Sequence, residues 1–302
     1  MTRSAPRSVA QYLEQLKAAL AGADPALQQD ALYDAEEYLR AEVAQHPGKS
    51  EADVLELIAS TYGAPDEVAD AYRTTEATVK AALAPPARRV PRSVLGRFFG
   101  VFADARAYTS LFFMLLSLAT GIVYFTVTTT GLALSAGFSV LIIGIPFFLL
   151  FLGVVRVLAL AEGRIVESLT GVRMPRRPVY AQRDVPWYER IKAMLIDRHT
   201  WLALFYMIIK LPLGILYFTI AVTGIATSVG MVAASVFQGL IDTGVTTFGI
   251  PAGEFHSDLP TWALPLTFIG GILLLTAVMH LAKGIGMMHG HLAKALLVRP
   301  AS

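Results

Sequence analysis

Residues 120–131 read T-G-I-V-Y-F-T-V-T-T-T-G, and residues 213–224 read L-G-I-L-Y-F-T-I-A-V-T-G. Aligned without a gap, Gly121 meets Gly214, Tyr124-Phe125-Thr126 meets Tyr217-Phe218-Thr219, and Thr130-Gly131 meets Thr223-Gly224. Upstream, Asp104 stands opposite Asp197, Tyr108 opposite Trp201, Leu111-Phe112 opposite Leu204-Phe205, and Met114 opposite Met207; downstream, Gly137 stands opposite Gly230. Self-similarity of this length marks an internal repeat, and its apolar content makes the repeated unit a membrane unit.

Each unit must hold two spans. Residues 107–160 carry no charge except Arg156, which is too much for one span of about 20 apolar residues. A turn over 131–137 divides the stretch. Residues 201–240 and 262–282 are similarly apolar, with Lys210 the only charge before Asp242. Four spans follow, at about 108–131, 138–160, 203–226 and 262–283. No signal peptide is visible, since a long polar region precedes the first span.

Basic residues set the orientation. They crowd the region before the first span (Arg88, Arg89, Arg92, Arg97, Arg106), the loop 161–200 (Arg164, Arg173, Arg176, Arg177, Arg183, Arg190, Lys192, Arg198) and the tail (Lys283, Lys294, Arg299). The turn between the first two spans has no charge, and the loop 239–261 holds only Asp242, Glu254, His256 and Asp258. Both termini and the central loop are therefore expected in the cytoplasm, the loop 239–261 outside, and the two units as parallel repeats.

The first 83 residues form a different region, with 14 acidic against 7 basic residues. Ser8-x-x-Gln11 reads as a capping box before Tyr12, Leu13, Leu16 and Leu20 on one helical face. Asp24-Pro25 opens a second helix with the stripe Leu32, Ala35, Tyr38, Leu39 and Val43. Ser50 caps a third, and Gly63-x-Pro65 separates it from a fourth ending near Leu83. Gly48-Lys49-Ser50 imitates the end of a phosphate loop, but Val43 stands where its first glycine belongs. Residues 84–106 are an arginine- and proline-rich linker suited to anionic headgroups.

In this head the pattern Tyr12-Leu13…Leu16…Leu20, Asp34-Ala35-Glu36-Glu37-Tyr38 and Gly63-x-Pro65-x-x-Val68-Ala69-x-x-Tyr72 resembles the HAAS family of helical signalling domains over roughly residues 8–75. The resemblance implies a protein-interaction module coupled to PadR-type helix-turn-helix regulators, with Glu36, Glu37, Tyr38, Tyr62, Asp66 and Tyr72 as candidate partner-binding residues.

Chemistry is sparse. With no cysteine, disulfides and thiolate metal sites are excluded. No nucleophile–base pair, metalloprotease motif or phosphate loop is present, and no cofactor, catalytic residue or metal ligand is assigned. Thr126, Thr128, Thr129, Thr130, Thr219, Thr223 and Thr227, with Gly121, Gly131, Gly214 and Gly224, suit a packing seam between spans one and three, or a polar cavity also lined by Tyr124 and Tyr217. Lys210 invites a functional role inside a span, although its stem could reach the interface two turns away. Glu162, Glu167 and Asp197 read as loop residues paired with arginines, so no span is expected to hold a carboxylate. His280, His289 and His291 read as interfacial groups, since their spacing fits no metal motif. Residues 180–198, carrying Trp187, Tyr188, Ile191, Met194 and Leu195, suit an interfacial helix.

Gly121-x-x-Tyr124-Phe125, Thr130-Gly131, Gly144-x-Pro146, Asp197-x-x-Thr200-Trp201 and Lys210-Leu211-Pro212-Leu213-Gly214 are similar to the four-span sensor domain at the front of many actinobacterial sensor histidine kinases, over residues 104–235. That resemblance implies sensing of an envelope or membrane signal. The kinase members' phosphoacceptor helix and nucleotide-binding domain have no counterpart here. The sequence thus predicts an all-α chain: a small cytoplasmic helical bundle (1–83), the linker (84–106), and a four-helix transmembrane domain built from two parallel two-span repeats (107–302). The expected function is non-enzymatic signalling. Expected partners are membrane lipids, a cytoplasmic helix-turn-helix regulator and a second copy in a homo-oligomer, without direct nucleic-acid binding. A transporter of lipids or small molecules with a regulatory head, and a ligand-free membrane scaffold, are the alternatives.

Overall fold

The computed structural model describes residues 5–83, 93–140, 144–177, 192, 195–242 and 260–298, with the side chains of 80–83 left aside. Among them there are nine α-helices and no strand. Helices α1 (Val9–Ala19), α2 (Pro25–Gln45), α3 (Glu51–Tyr62) and α4 (Pro65–Leu83) form the head. A short α5 (Val94–Phe99) and a single 3₁₀ turn (Gly100–Ala103) lead into α6 (Ala105–Phe138) and α7 (Gly144–Thr170), followed by α8 (Arg198–Asp242) and α9 (Leu264–Leu297). Residues 84–92 of the linker, most of the stretch 180–198 expected as an interfacial helix, and residues 243–259 of the expected outer loop lie outside the described residues.

The head folds by the local signals its sequence carries. The Ser8 hydroxyl accepts the Gln11 N–H at 3.2 Å. The reciprocal half of that expected box is displaced by one residue, because the Gln11 side-chain oxygen accepts from Arg7 N–H at 2.8 Å. Ser50 and Asp53 complete a full capping box on α3, the Asp53 carboxylate taking the Ser50 N–H at 3.2 Å. Those bonds, the Ser50 side chain first, hold the exposed Asp53 carboxyl below its ordinary value. Gly63, at φ 97°, ends α3 in a region only glycine enters without strain, and the Tyr12 hydroxyl donates to its carbonyl at 2.9 Å. Leu13, Leu16 and Leu20 pack against Ala31, Ala35 and Leu39, with Ile58, Val68 and Ala69 closing the core.

Helices α6, α7, α8 and α9 are each long and apolar enough to cross a bilayer. Their outward faces carry Phe112, Ile122, Leu150, Phe205, Leu216 and Ile269, each half or more exposed. So much exposed apolar surface is at home against lipid tails and not against water. Two antiparallel pairs result. In the first, Gly144 abuts the Phe138 backbone and Gly131 receives the Phe151 ring. Gly131 therefore sits inside α6, which runs on to Phe138, so the turn expected over 131–137 is helix instead; a glycine in an apolar run served packing and not reversal. In the second pair, Gly224 receives Val278, and Gly271 lies against Ser228 and Val232. The C-terminal ends of α7 and α9 meet, with Gly290 against Thr170 and Val172, so the two hairpins point the same way.

The repeat appears as a symmetric contact between α6 and α8. A methyl group on Gly121 would come within 2.9 Å of Leu211 Cα and of the Lys210 carbonyl oxygen, while one on Gly214 would meet the backbone of Ser117 and Leu118. Ser117 and Lys210 are repeat equivalents, as are Leu118 and Leu211. The same surface is thus used twice, once by each copy.

Candidate functional site

Near the head-facing end of the bundle, α7, α8 and α9 each place an ionisable side chain at one buried point. Helix α7 contributes Glu162, α8 contributes Lys210 with Tyr206 and Tyr217, and α9 contributes His289. Lys210 Nζ donates to Glu162 Oε1 at 2.6 Å, and the Tyr206 hydroxyl donates to the same oxygen at 2.7 Å. His289 Nε2 lies 2.8 Å from the Tyr206 hydroxyl and 3.2 Å from Lys210 Nζ, while its Nδ1 faces the Tyr217 hydroxyl at 3.3 Å. Glu162, Lys210 and His289 all have 0% exposure. The Phe113 ring closes the site from α6, 4.5 Å from Lys210 Nζ. Tyr124 stands beside the carboxylate, whose second oxygen, Oε2, accepts no hydrogen bond from the described residues.

This arrangement corrects three expectations. Lys210 does not reach for the interface; it turns inward, because a buried carboxylate repays its lost hydration better than a stretched stem would. Glu162 is not a loop residue, since α7 continues past the apolar run to Thr170. His289 is not interfacial either; of the other two histidines, His280 reaches the Phe98 carbonyl at 2.8 Å and His291 is exposed. Among the described residues no group of metal-binding side chains assembles.

The other residues singled out in the membrane region divide cleanly. Gly121, Gly214, Tyr124 and Tyr217 are buried at the helix contacts. Thr126, Thr130, Thr219 and Thr223 are exposed on the outside of the bundle and take no part in the seam. Only Thr128 of that cluster is fully buried. The equivalent pairs Gly121 and Gly214, Tyr124 and Tyr217, Thr126 and Thr219, and Thr130 and Thr223 share their exposure, and the copies differ at the core, where Ser117 faces its own helix by donating to Phe113 O and Lys210 faces Glu162.

A second constellation lies where the head meets the bundle. Residues 171–177 leave α7 without regular secondary structure, with Gly171 at φ 75° and a bend at Arg176 and Arg177. Asp30 Oδ1, on α2, accepts the backbone N–H groups of Arg176 at 2.7 Å and Arg177 at 2.8 Å. Its Oδ2 accepts from the Arg173 guanidinium at 2.8 Å. Gln29 Nε2 donates to the Arg177 carbonyl at 2.6 Å. Arg177 also pairs with Asp34 at 2.8 Å and lies over the Tyr33 ring, while Arg173 pairs with Glu76 of α4 at 3.2 Å. Lys294, on α9, reaches Asp24 at 2.6 Å. Burial pushes the Asp30 carboxyl above its ordinary value, against the pull of the Arg176 and Arg177 N–H groups and of Arg173. Burial also disfavours the charged Arg173, but Asp30, Glu76 and Glu167 outweigh it and raise its pKa.

The residues singled out in the head occupy other places. Glu36 is buried and paired with Arg40 at 2.8 Å. Tyr38 stacks on Tyr62 with ring centroids 4.4 Å apart, and Tyr72 donates to Asp34 at 3.2 Å. Glu37 and Asp66 are exposed. Sequence reasoning missed Asp30 and Gln29, and it placed Glu162 in a loop away from Lys210. A signal for Glu162 was present: an intramembrane lysine needs a partner, and Glu162 is the acidic residue nearest the end of a neighbouring span.

No curated protein and no solved structure matches the chain. Residues 113–297 match the family model Sensor, described as "Putative sensor". The matched region takes in most of α6, all of α7, α8 and α9, and the ion cluster, and with more than half of its length inside that family model the chain belongs to the Sensor family.

Proposed function

We propose that the protein is a non-enzymatic membrane sensor of a bacterial inner membrane, with both termini cytoplasmic, whose head relays the state of the four-helix domain to a cytoplasmic transcription regulator. The observation that carries this reading is the joint between the two parts: the segment leaving α7 grips α2 and α4 of the head, and α9 reaches α2 through Lys294. A shift between the hairpins moves Arg173 or Lys294 relative to the head and changes what the head presents. The HAAS-like pattern of the head supports a helix-turn-helix regulator of the PadR type as its partner, approached through Glu37 and Asp66, which stay exposed. Membrane lipids and a second copy of the chain are the further partners in this reading.

The test is mild crosslinking in the native host followed by purification, with the full chain and with residues 1–83 removed. A helix-turn-helix regulator recovered only with the full chain is the expected result; recovery of none, or equal recovery with both, overturns the relay.

One observation favours a second reading. Ionisable groups inside a membrane bundle mark proton pathways, and Glu162 with Lys210 and His289 brings three of them together, the carboxylate among them where none was expected. Proton-coupled transport would then show as a pH change in proteoliposomes that Glu162→Gln abolishes.

A further inference from the structure

We propose that the face of α2 centred on Asp30 is a binding surface for a non-helical, bent, arginine-bearing peptide segment, and that residues 173–177 occupy it as an internal ligand. The proposal rests on the relay reading in that it names the chemistry of the partner the head would take.

The contact has the features of peptide recognition. It reads main chain: two successive N–H groups converge on one Asp30 oxygen, and the Gln29 amide takes the Arg177 carbonyl. Such bonds require a segment whose own backbone groups are not spent in a helix. Pro175 secures that, since proline biases the residue before it toward extended backbone. Side chains then add selectivity: the second Asp30 oxygen and Glu76 take Arg173, while Asp34 and the Tyr33 ring take Arg177. Planar guanidinium groups suit such carboxylate pairs and aromatic faces better than lysine would. A hydrophobic head core needs none of these groups. Gln29 and Asp30 are nonetheless buried, at 9% and 7% exposure, beneath the segment.

The internal ligand is also held from behind. Met174 is 1% exposed, its side chain 3.6 Å from where a Cβ on Gly163 would stand. Val172 and Thr170 pack on Gly290, next to His289 of the ion cluster. The segment is therefore fixed to α7 and α9 on one side and offered to the head on the other. A movement of those helices would withdraw it and leave the Asp30 face open to a basic, non-helical segment of another protein.

The chain in phosphatidylcholine nanodiscs, a neutral bilayer, would be titrated with a fluorescent peptide G-V-R-M-P-R-R, copied from residues 171–177. A tethered ligand acts at an effective concentration of about millimolar, so the wild type should resist the peptide at micromolar levels. The variant Arg173→Glu/Arg177→Glu, altered outside the head, should bind it at least about tenfold more tightly than wild type does. Adding Asp30→Asn should return binding to the wild-type level, and a scrambled peptide of equal charge should not bind. Arg177→Pro, which removes one N–H donor without reversing charge, should also admit the peptide. Equal affinity of wild type and both opened variants, binding that ignores Asp30→Asn, or equal binding of the scrambled peptide would each overturn the proposal. Peptide binding with no regulator recovered from the host would sink the relay and leave the surface standing; the reverse outcome would do the opposite.

Discussion

Lys210 carries a charge that loses several kcal/mol of hydration on burial, and the Glu162 carboxylate at 2.6 Å offsets much of that loss. Removing one member leaves the other uncompensated. Lys210→Met should therefore lower stability by about 3–5 kcal/mol, seen as a fall in Tm in detergent. The double variant Glu162→Gln/Lys210→Met should recover a large part of that loss, since the two residues are directly coupled. Additive losses would show that the pair is not an isolated electrostatic unit. Asp53 behaves differently, being exposed at the start of α3. Its folded pKa lies below the unfolded one, so its capping contribution is present above the ordinary carboxylate range and is lost as pH falls through the depressed value. Amide protection relative to the intrinsic exchange rate should fall in the first turn of α3 over that acidic window, and Ser50→Ala should remove this pH dependence.

At the scale of elements, the glycines of the repeat separate by what surrounds them. Gly121 lies where an added Cβ would press on the Lys210–Leu211 backbone, whereas Gly137 and Gly230 have nothing within 4 Å. Gly121→Ala should force α6 from α8 and cost roughly 1–3 kcal/mol as an overpacked contact does. Gly137→Ala and Gly230→Ala should be neutral or should stabilise by about 0.5–1 kcal/mol through helix propensity. Thermal unfolding of the three variants side by side checks the contrast. The repeat itself was legible because identical residues recur in register. What their identity did not say was which glycine packs and which merely lies in a helix, since both leave the same letter in the sequence.

For the whole molecule, the head is held by ionic and hydrogen-bonded contacts at Asp24, Asp30, Asp34 and Glu76. Partly exposed ion pairs weaken as salt screens them. With no native cysteine, labels can be placed by Glu37→Cys on the head and Met288→Cys on α9, both exposed positions. The spin-label distance distribution should broaden on raising salt from 0.05 to about 0.5 M, where screening becomes strong, and should broaden at low salt in Arg173→Ala. An unchanged distribution in both would mean that the two parts are held by something other than these charges. The sequence by itself determined the helical head with its caps, the four apolar spans and the in-register repeat, because capping, periodicity and hydropathy act over a few neighbouring residues. Only the tertiary structure decided that Lys210 meets Glu162 and His289, and that Asp30 receives residues 173–177. Both depend on residues far apart in the chain that become neighbours when the hairpins close, and a buried charge is fixed by which partner then stands opposite it.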